Sequence, residues 1–128
     1  MSYNISRKTT GDFDAVIVRV KDALKDEGFG VLTEIDVAGT LKAKIGKDFR
    51  PYRILGACNP NFAFEALSEE PHIGVMLPCN VIVQRYDNGE VEVSSIDPAT
   101  AMEAVGNPKL EAVARQVRAA LQRVVESV

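Results

Sequence analysis

The dipeptide Asn88-Gly89 stands between two extended runs, residues 79–86 and 90–96, and both of its members accept the left-handed backbone that a tight reversal between strands demands. It predicts a β-hairpin, and with it an antiparallel sheet. Taking Asn88 and Gly89 as the two loop residues sets a register in which Asp87 faces Glu90, Tyr86 faces Val91, Arg85 faces Glu92 and Gln84 faces Val93. Tyr86, Val91, Val93 and Ile82 then share one face, while Arg85, Glu92, Val83, Val81, Ile96 and Cys79 share the other. Both faces are partly apolar, so something is expected to cover the second one: a loop, a short helix at 38–46, or a second copy of the chain.

Helices are expected around that hairpin. Three times an Asx residue directly precedes a proline, at Asn59-Pro60, Asp97-Pro98 and Asn107-Pro108. The side chain caps free amides, and proline suits the first helical position because its fixed φ and missing N–H cost nothing there. The first of these helices is expected to reach Ser68, and the second is brief and stopped by Gly106. The third spans 108–128, with Leu110, Val113, Ala114, Val117, Leu121, Val124 and Val125 on one stripe. Residues 12–27 place Phe13, Val16, Ile17, Val20 and Leu24 at helical spacing, with Thr10 or Asp12 as cap and Gly28 as stop. Strands are expected at 3–8, 30–37 and 52–58, an extended run at 73–77 ahead of Pro78, and a polar loop at 47–51. This order of elements predicts an α+β fold, an open antiparallel sheet with helices packed on one face, as a single domain over residues 1–128.

Charge and composition narrow the function classes. Fifteen Lys and Arg against 18 Asp and Glu leave a net charge of −3 and a pI near 5.2, which disfavours a nucleic-acid partner. With 46% hydrophobic residues, a chain of 128 can bury a core without disulfides or a structural metal. No apolar run approaches the roughly 20 residues needed to span a bilayer, and the start Met1-Ser2-Tyr3-Asn4-Ile5 lacks a basic and then apolar leader pattern. A cytoplasmic protein with no membrane partner is therefore expected. The sequence holds no GxxxxGK[ST], GxGxxG, HExxH, GxSxG or CxxC, so phosphate-loop, dinucleotide, zincin and common hydrolase chemistry lack support.

Two stretches carry a family likeness: Tyr52-Arg53-Ile54-Leu55-Gly56-Ala57-Cys58-Asn59-Pro60, and Leu77-Pro78-Cys79-Asn80-Val81-Ile82-Val83 running on to Asp97-Pro98. With Gly28-Phe29-Gly30-Val31-Leu32-Thr33-Glu34-Ile35-Asp36-Val37 and Phe49-Arg50-Pro51-Tyr52, they make the chain resemble domain of unknown function family 302 over almost its whole length. The resemblance implies a small homodimer. It also implies a fold similar to the TATA-binding-protein-like class, strand, helix, four strands and helix, with no activity established for the family.

Cys58 and Cys79 are the only cysteines, in the near-duplicate settings Ala57-Cys58-Asn59-Pro60 and Pro78-Cys79-Asn80-Val81. If their strands are neighbours, Cys58, Asn59, Cys79 and Asn80 form one locus, and a dithiol there could hold a soft metal ion or cycle through a disulfide. Such a role predicts a depressed thiol pKa at one cysteine. Two thiols alone fall short of the four ligands of structural zinc, and two packing cysteines are the plainer alternative. Arg50 and Arg53 flank Pro51-Tyr52 near Lys42, Lys44 and Lys47, so they are candidates to bind a small anionic metabolite, or else a solvated surface. Glu34 and Asp36 project the same way from one strand about 7 Å apart, as a catalytic carboxylate pair or as its wet face. His72 reads as a loop residue. The sequence names no cofactor. It points to a homodimeric module that binds a small ligand or metal ion near Cys58 and Cys79 rather than to a catalyst, the alternatives being a thiol-dependent redox enzyme and a structural or interaction domain.

Overall fold

A computed structural model describes residues 2–128. Five strands and five helices follow one another as β1 (Asn4–Thr9), α1 (Phe13–Asp26), β2 (Gly30–Asp36), α2 (Val37–Ile45), β3 (Tyr52–Cys58), α3 (Pro60–Glu69), β4 (Cys79–Arg85), β5 (Val91–Ile96), α4 (Pro98–Glu103) and α5 (Pro108–Glu126). The strands form one sheet in the order β1-β5-β4-β3-β2, every neighbouring pair antiparallel. Stripped of α2, α3 and α4, this is the expected strand, helix, four strands and helix. The α+β class and the open antiparallel sheet stand as read from sequence.

Local chemistry sets the helix starts. Asp12 accepts from the Ala15 amide at 3.1 Å to open α1, and Gly28 past its end takes φ +84°. Each Asx-Pro pair opens a helix as expected: Asn59 caps α3, Asp97 caps α4 and Asn107 caps α5, with proline in the first turn each time. Residues 73–77, expected to be extended, instead turn as a 3₁₀ segment over Ile73–Met76. Burial explains the difference, because the turn drives Ile73 into the interior, where it is 1% exposed.

The hairpin differs from its sequence reading by one residue, and the consequences are large. Tyr86 and Glu90 close the ladder through a 2.9 Å bond from the Tyr86 amide to the Glu90 carbonyl, so the loop is Asp87, Asn88 and Gly89. Only Gly89 of the three is left-handed, at φ +90°, and among the described residues none other than glycine has positive φ. This is the three-residue loop that ends in a left-handed glycine, and Asn88 supports it by accepting from the Glu90 amide at 2.9 Å. The register becomes Arg85↔Val91, Gln84↔Glu92, Val83↔Val93, Ile82↔Ser94 and Val81↔Ser95. Directly opposed residues share a face, so Val81, Val83, Val91 and Val93 all lie together. The two partly apolar faces of the sequence reading resolve into one apolar and one mostly polar face.

The apolar face is the core. Leu55, Ala57, Val81, Val83, Val91 and Val93 from the sheet pack with Val16, Ile17, Val20 and Leu24 of α1 and Val117, Leu121, Val124 and Val125 of α5. A second cluster gathers Ala66, Ile73, Met102, Leu110 and Ala114 beyond the end of the sheet. The single stripe of α5 therefore serves both, with its N-terminal third on the second cluster and the remainder on the first. On the opposite sheet face, Arg50 of the 47–51 loop supplies cover at one end. Its guanidinium lies 4.5, 5.4 and 5.9 Å from the ring centres of Phe49, Tyr86 and Tyr52, and its Nε donates to Gln84 Oε1 at 2.9 Å. Helix α2, the other expected cover, has no buried residue.

Candidate functional site

Between the two clusters lies a cavity of about 330 Å³. Its floor is the end of β3 and the start of β4, with Ala57, Cys58, Pro78 and Cys79; α3 contributes Phe62, Ala63, Ala66 and Leu67; α5 contributes Leu110, Val113, Ala114 and Val117. Phe29, Leu32, Leu77 and Met102 complete most of the wall. The capped helix α3 starts directly after Cys58 and Asn59, and Leu110 and Ala114 of α5 pack in the second cluster rather than in the sheet core. Neither helix can then fill the wedge between them. Among the described residues, none of the side chains lining it is charged.

The polar groups of the wall are few. Asn59 spends its Oδ1 on the helix cap, accepting from the amides of Asn61 at 3.1 Å and Phe62 at 3.3 Å. Cys58 and Cys79 are free thiols, and the pairing Ala57↔Cys79 puts Cys58 one residue past the position opposite Cys79. The two cysteine-asparagine segments are thus neighbours, as the sequence suggested. Burial first, and the adjoining Cys58 second, push the Cys79 thiol up to about 11. The depressed value expected of a reactive pair does not occur at Cys79, which stays protonated at neutral pH. Among the described residues, no group of three or more His, Cys, Asp or Glu comes together as metal ligands.

The remaining sequence candidates lie elsewhere. Asn80 pairs with Gly56, is exposed and does not line the cavity. Arg53 belongs to the opposite end of β3, where its Nη1 donates to Glu34 Oε2, and Arg50 is held among the rings and Gln84 on the other face of the sheet. These two arginines do not converge on one anion. Glu34 also takes Lys21 at 2.6 Å, and the hydrogen bonds from Lys21 and then Arg53 hold its carboxyl below the ordinary value. Asp36 instead caps α2, accepting from the Gly39 amide at 3.0 Å. One carboxylate is held by two cations, and the other caps a helix start. His72 is exposed before the 3₁₀ turn, 3.5 Å from Glu70.

Sequence reasoning missed Phe62, Ala63, Leu110, Val113 and Ala114 as cavity residues. Helical spacing marks them as inward-facing, but nothing local tells a residue that meets a neighbour from one that meets empty space. Asp97, next to the cavity residue Pro98, has its charge fully used: Oδ1 accepts from the Ala99 and Thr100 amides at 3.0 and 3.4 Å, and Oδ2 accepts from Arg118 Nε at 3.0 Å.

A family model described as domain of unknown function DUF302 matches residues 5–128. Among solved structures, the crystal structure of an uncharacterized conserved DUF302 protein from Bacillus stearothermophilus shares the fold with a TM-score of 0.93. It is 28% identical in sequence, over 99% of this chain and 98% of that one. No curated protein matches the chain. No helix is long and apolar enough to cross a membrane, among the described residues.

Proposed function

The chain belongs to the DUF302 family, and we propose that it serves as a binding module that holds a small molecule in the cavity between the Cys58–Cys79 end of the sheet, α3 and α5. The observation that carries this reading is a formed concave space of about 330 Å³, within the range of small-ligand sites, next to a sheet end that supplies the few polar groups. An apolar space of that size left without occupant costs packing energy, since its lining atoms lack partners on one side. Protonation of Cys79 at neutral pH works against the thiol-enzyme alternative at that residue. The neutral fluorophore 1-aminonaphthalene tests the reading. Its emission should rise saturably at one equivalent per chain, and Ala63→Phe, which fills the cavity from α3, should abolish the rise with little change in Tm. If Ala63→Phe does not fold, Leu67→Glu at the half-exposed rim provides the same test. A fluorescence gain that survives both substitutions, or no gain with the unaltered chain, overturns the assignment.

A second reading concerns the open sheet face. Ile35, Ile54 and Ile82 are successive partners across β2, β3 and β4, and they form an apolar row with Ile35 46% exposed. We propose that this row is where two copies meet in the homodimer that the family resemblance implies. Light scattering should give twice the chain mass, reduced to a single chain mass by Ile35→Lys. A monomer at tens of micromolar would remove this proposal.

A further inference from the structure

We infer that the ligand of the cavity is an uncharged, largely hydrocarbon molecule of about a dozen non-hydrogen atoms, rather than an anionic metabolite or a metal ion. The inference rests on the proposed binding site and assigns its ligand class. Three observations lead to it. First, the wall contains no charged side chain among the described residues. A carboxylate, phosphate or ammonium entering it would lose hydration against no opposing charge, and a buried unpaired ion is among the most costly groups a protein can hold.

Second, Asp97 and Arg53, on the segments that lead into the wall, are already committed. Asp97 beside Pro98 is closed by Arg118 and the α4 cap, and Arg53 with Glu34 and Lys21 sits at the other end of β3. Third, the wall's own polar capacity is small and neutral: the Asn59 amide, whose Oδ1 is engaged by α3, and the Cys58 and Cys79 thiols. Such a wall can meet one hydroxyl or carbonyl but cannot satisfy a hydrated head group. Size follows from volume. An engineered apolar cavity of about 150 Å³ accepts benzene, so 330 Å³ admits about twice that number of atoms. The exposed rim residues Leu32 and Leu67 continue the apolar surface outward at the mouth.

Competition against bound 1-aminonaphthalene at pH 7 tests the class, with octan-1-ol, octanoate and octylamine as matched probes. Octan-1-ol should displace the dye at least about tenfold more effectively than either ion. Along the series from hexan-1-ol to decan-1-ol, affinity should rise about fourfold per added CH₂. Octanoate or octylamine competing as well as the alcohol would overturn the neutral class while leaving the site in place. An alcohol series with no length dependence overturns the hydrocarbon assignment. Absence of dye binding to the unaltered chain instead removes the site itself, so the two failures are distinguishable.

Discussion

At its Cys58 end β3 runs into a wall of uncharged side chains with space between them, whereas at its Tyr52 end charged side chains gather and take partners. Arg53 meets Glu34, Glu34 also meets Lys21, and Arg50 is enclosed by Phe49, Tyr52, Tyr86 and Gln84. One strand thus separates two chemistries that the sequence places within nine residues, from Arg50 to Cys58. The basic end stabilises and the uncharged end is left open. Basic residues near a glycine- and proline-marked segment are poor guides to a site unless their partners are known.

The contrast can be broken first by volume. Leu110→Ala should enlarge the cavity and cost about 2–4 kcal/mol in urea unfolding, approaching the cost of Leu121→Ala in the filled core. A much smaller cost would mean that the wall around Leu110 collapses. Next comes the alkaline limb. Unfolded, Cys79 loses its proton near 9.0, but in the fold it holds it to about 11. The unfolded chain therefore binds fewer protons across that window, and stability falls as pH rises through it by about 3 kcal/mol, levelling above the folded value. Cys79→Val should remove that part of the slope, as chemical unfolding at pH 8 to 11 would reveal.

At the junction of the two regions, Asn59→Ala should cost about 1 kcal/mol through loss of the α3 cap. Asn59→Asp, which keeps the cap, should restore most of it. The smallest effect belongs to the charged end: Arg53→Met should change stability by less than about 1 kcal/mol, because Lys21 remains on Glu34. Glu34, with a depressed folded value, contributes stability above its unfolded pKa, and this is lost as pH falls through the folded one. Glu34→Gln should therefore flatten the acid limb without touching dye binding. An effect of Glu34→Gln on dye affinity would join the two regions that the structure separates.

What the sequence made legible was local or periodic. The Asx-Pro caps need only three or four consecutive residues, and the α5 stripe repeats within one helix, so both were readable. Strand alternation could also have divided Arg53, in step with Leu55 and Ala57, from Tyr52 and Ile54. Three things were not legible. The loop at Asn88-Gly89 admits two or three residues with the same dipeptide, and the decision depends on Tyr86 bonding Glu90. Ile73 takes its conformation from the cluster it enters. The cavity is assembled from segments as distant as Phe29 and Val117, and no local pattern records a gap between them.

The three-residue loop at 87–89 fixes which atoms of two strands meet the helices. Because side chains alternate strictly along a strand, loss or gain of one codon there would exchange inside for outside along one arm of the hairpin. At this point in the gene, length is a stricter requirement than identity, and substitutions should outnumber indels among sequences that keep the fold.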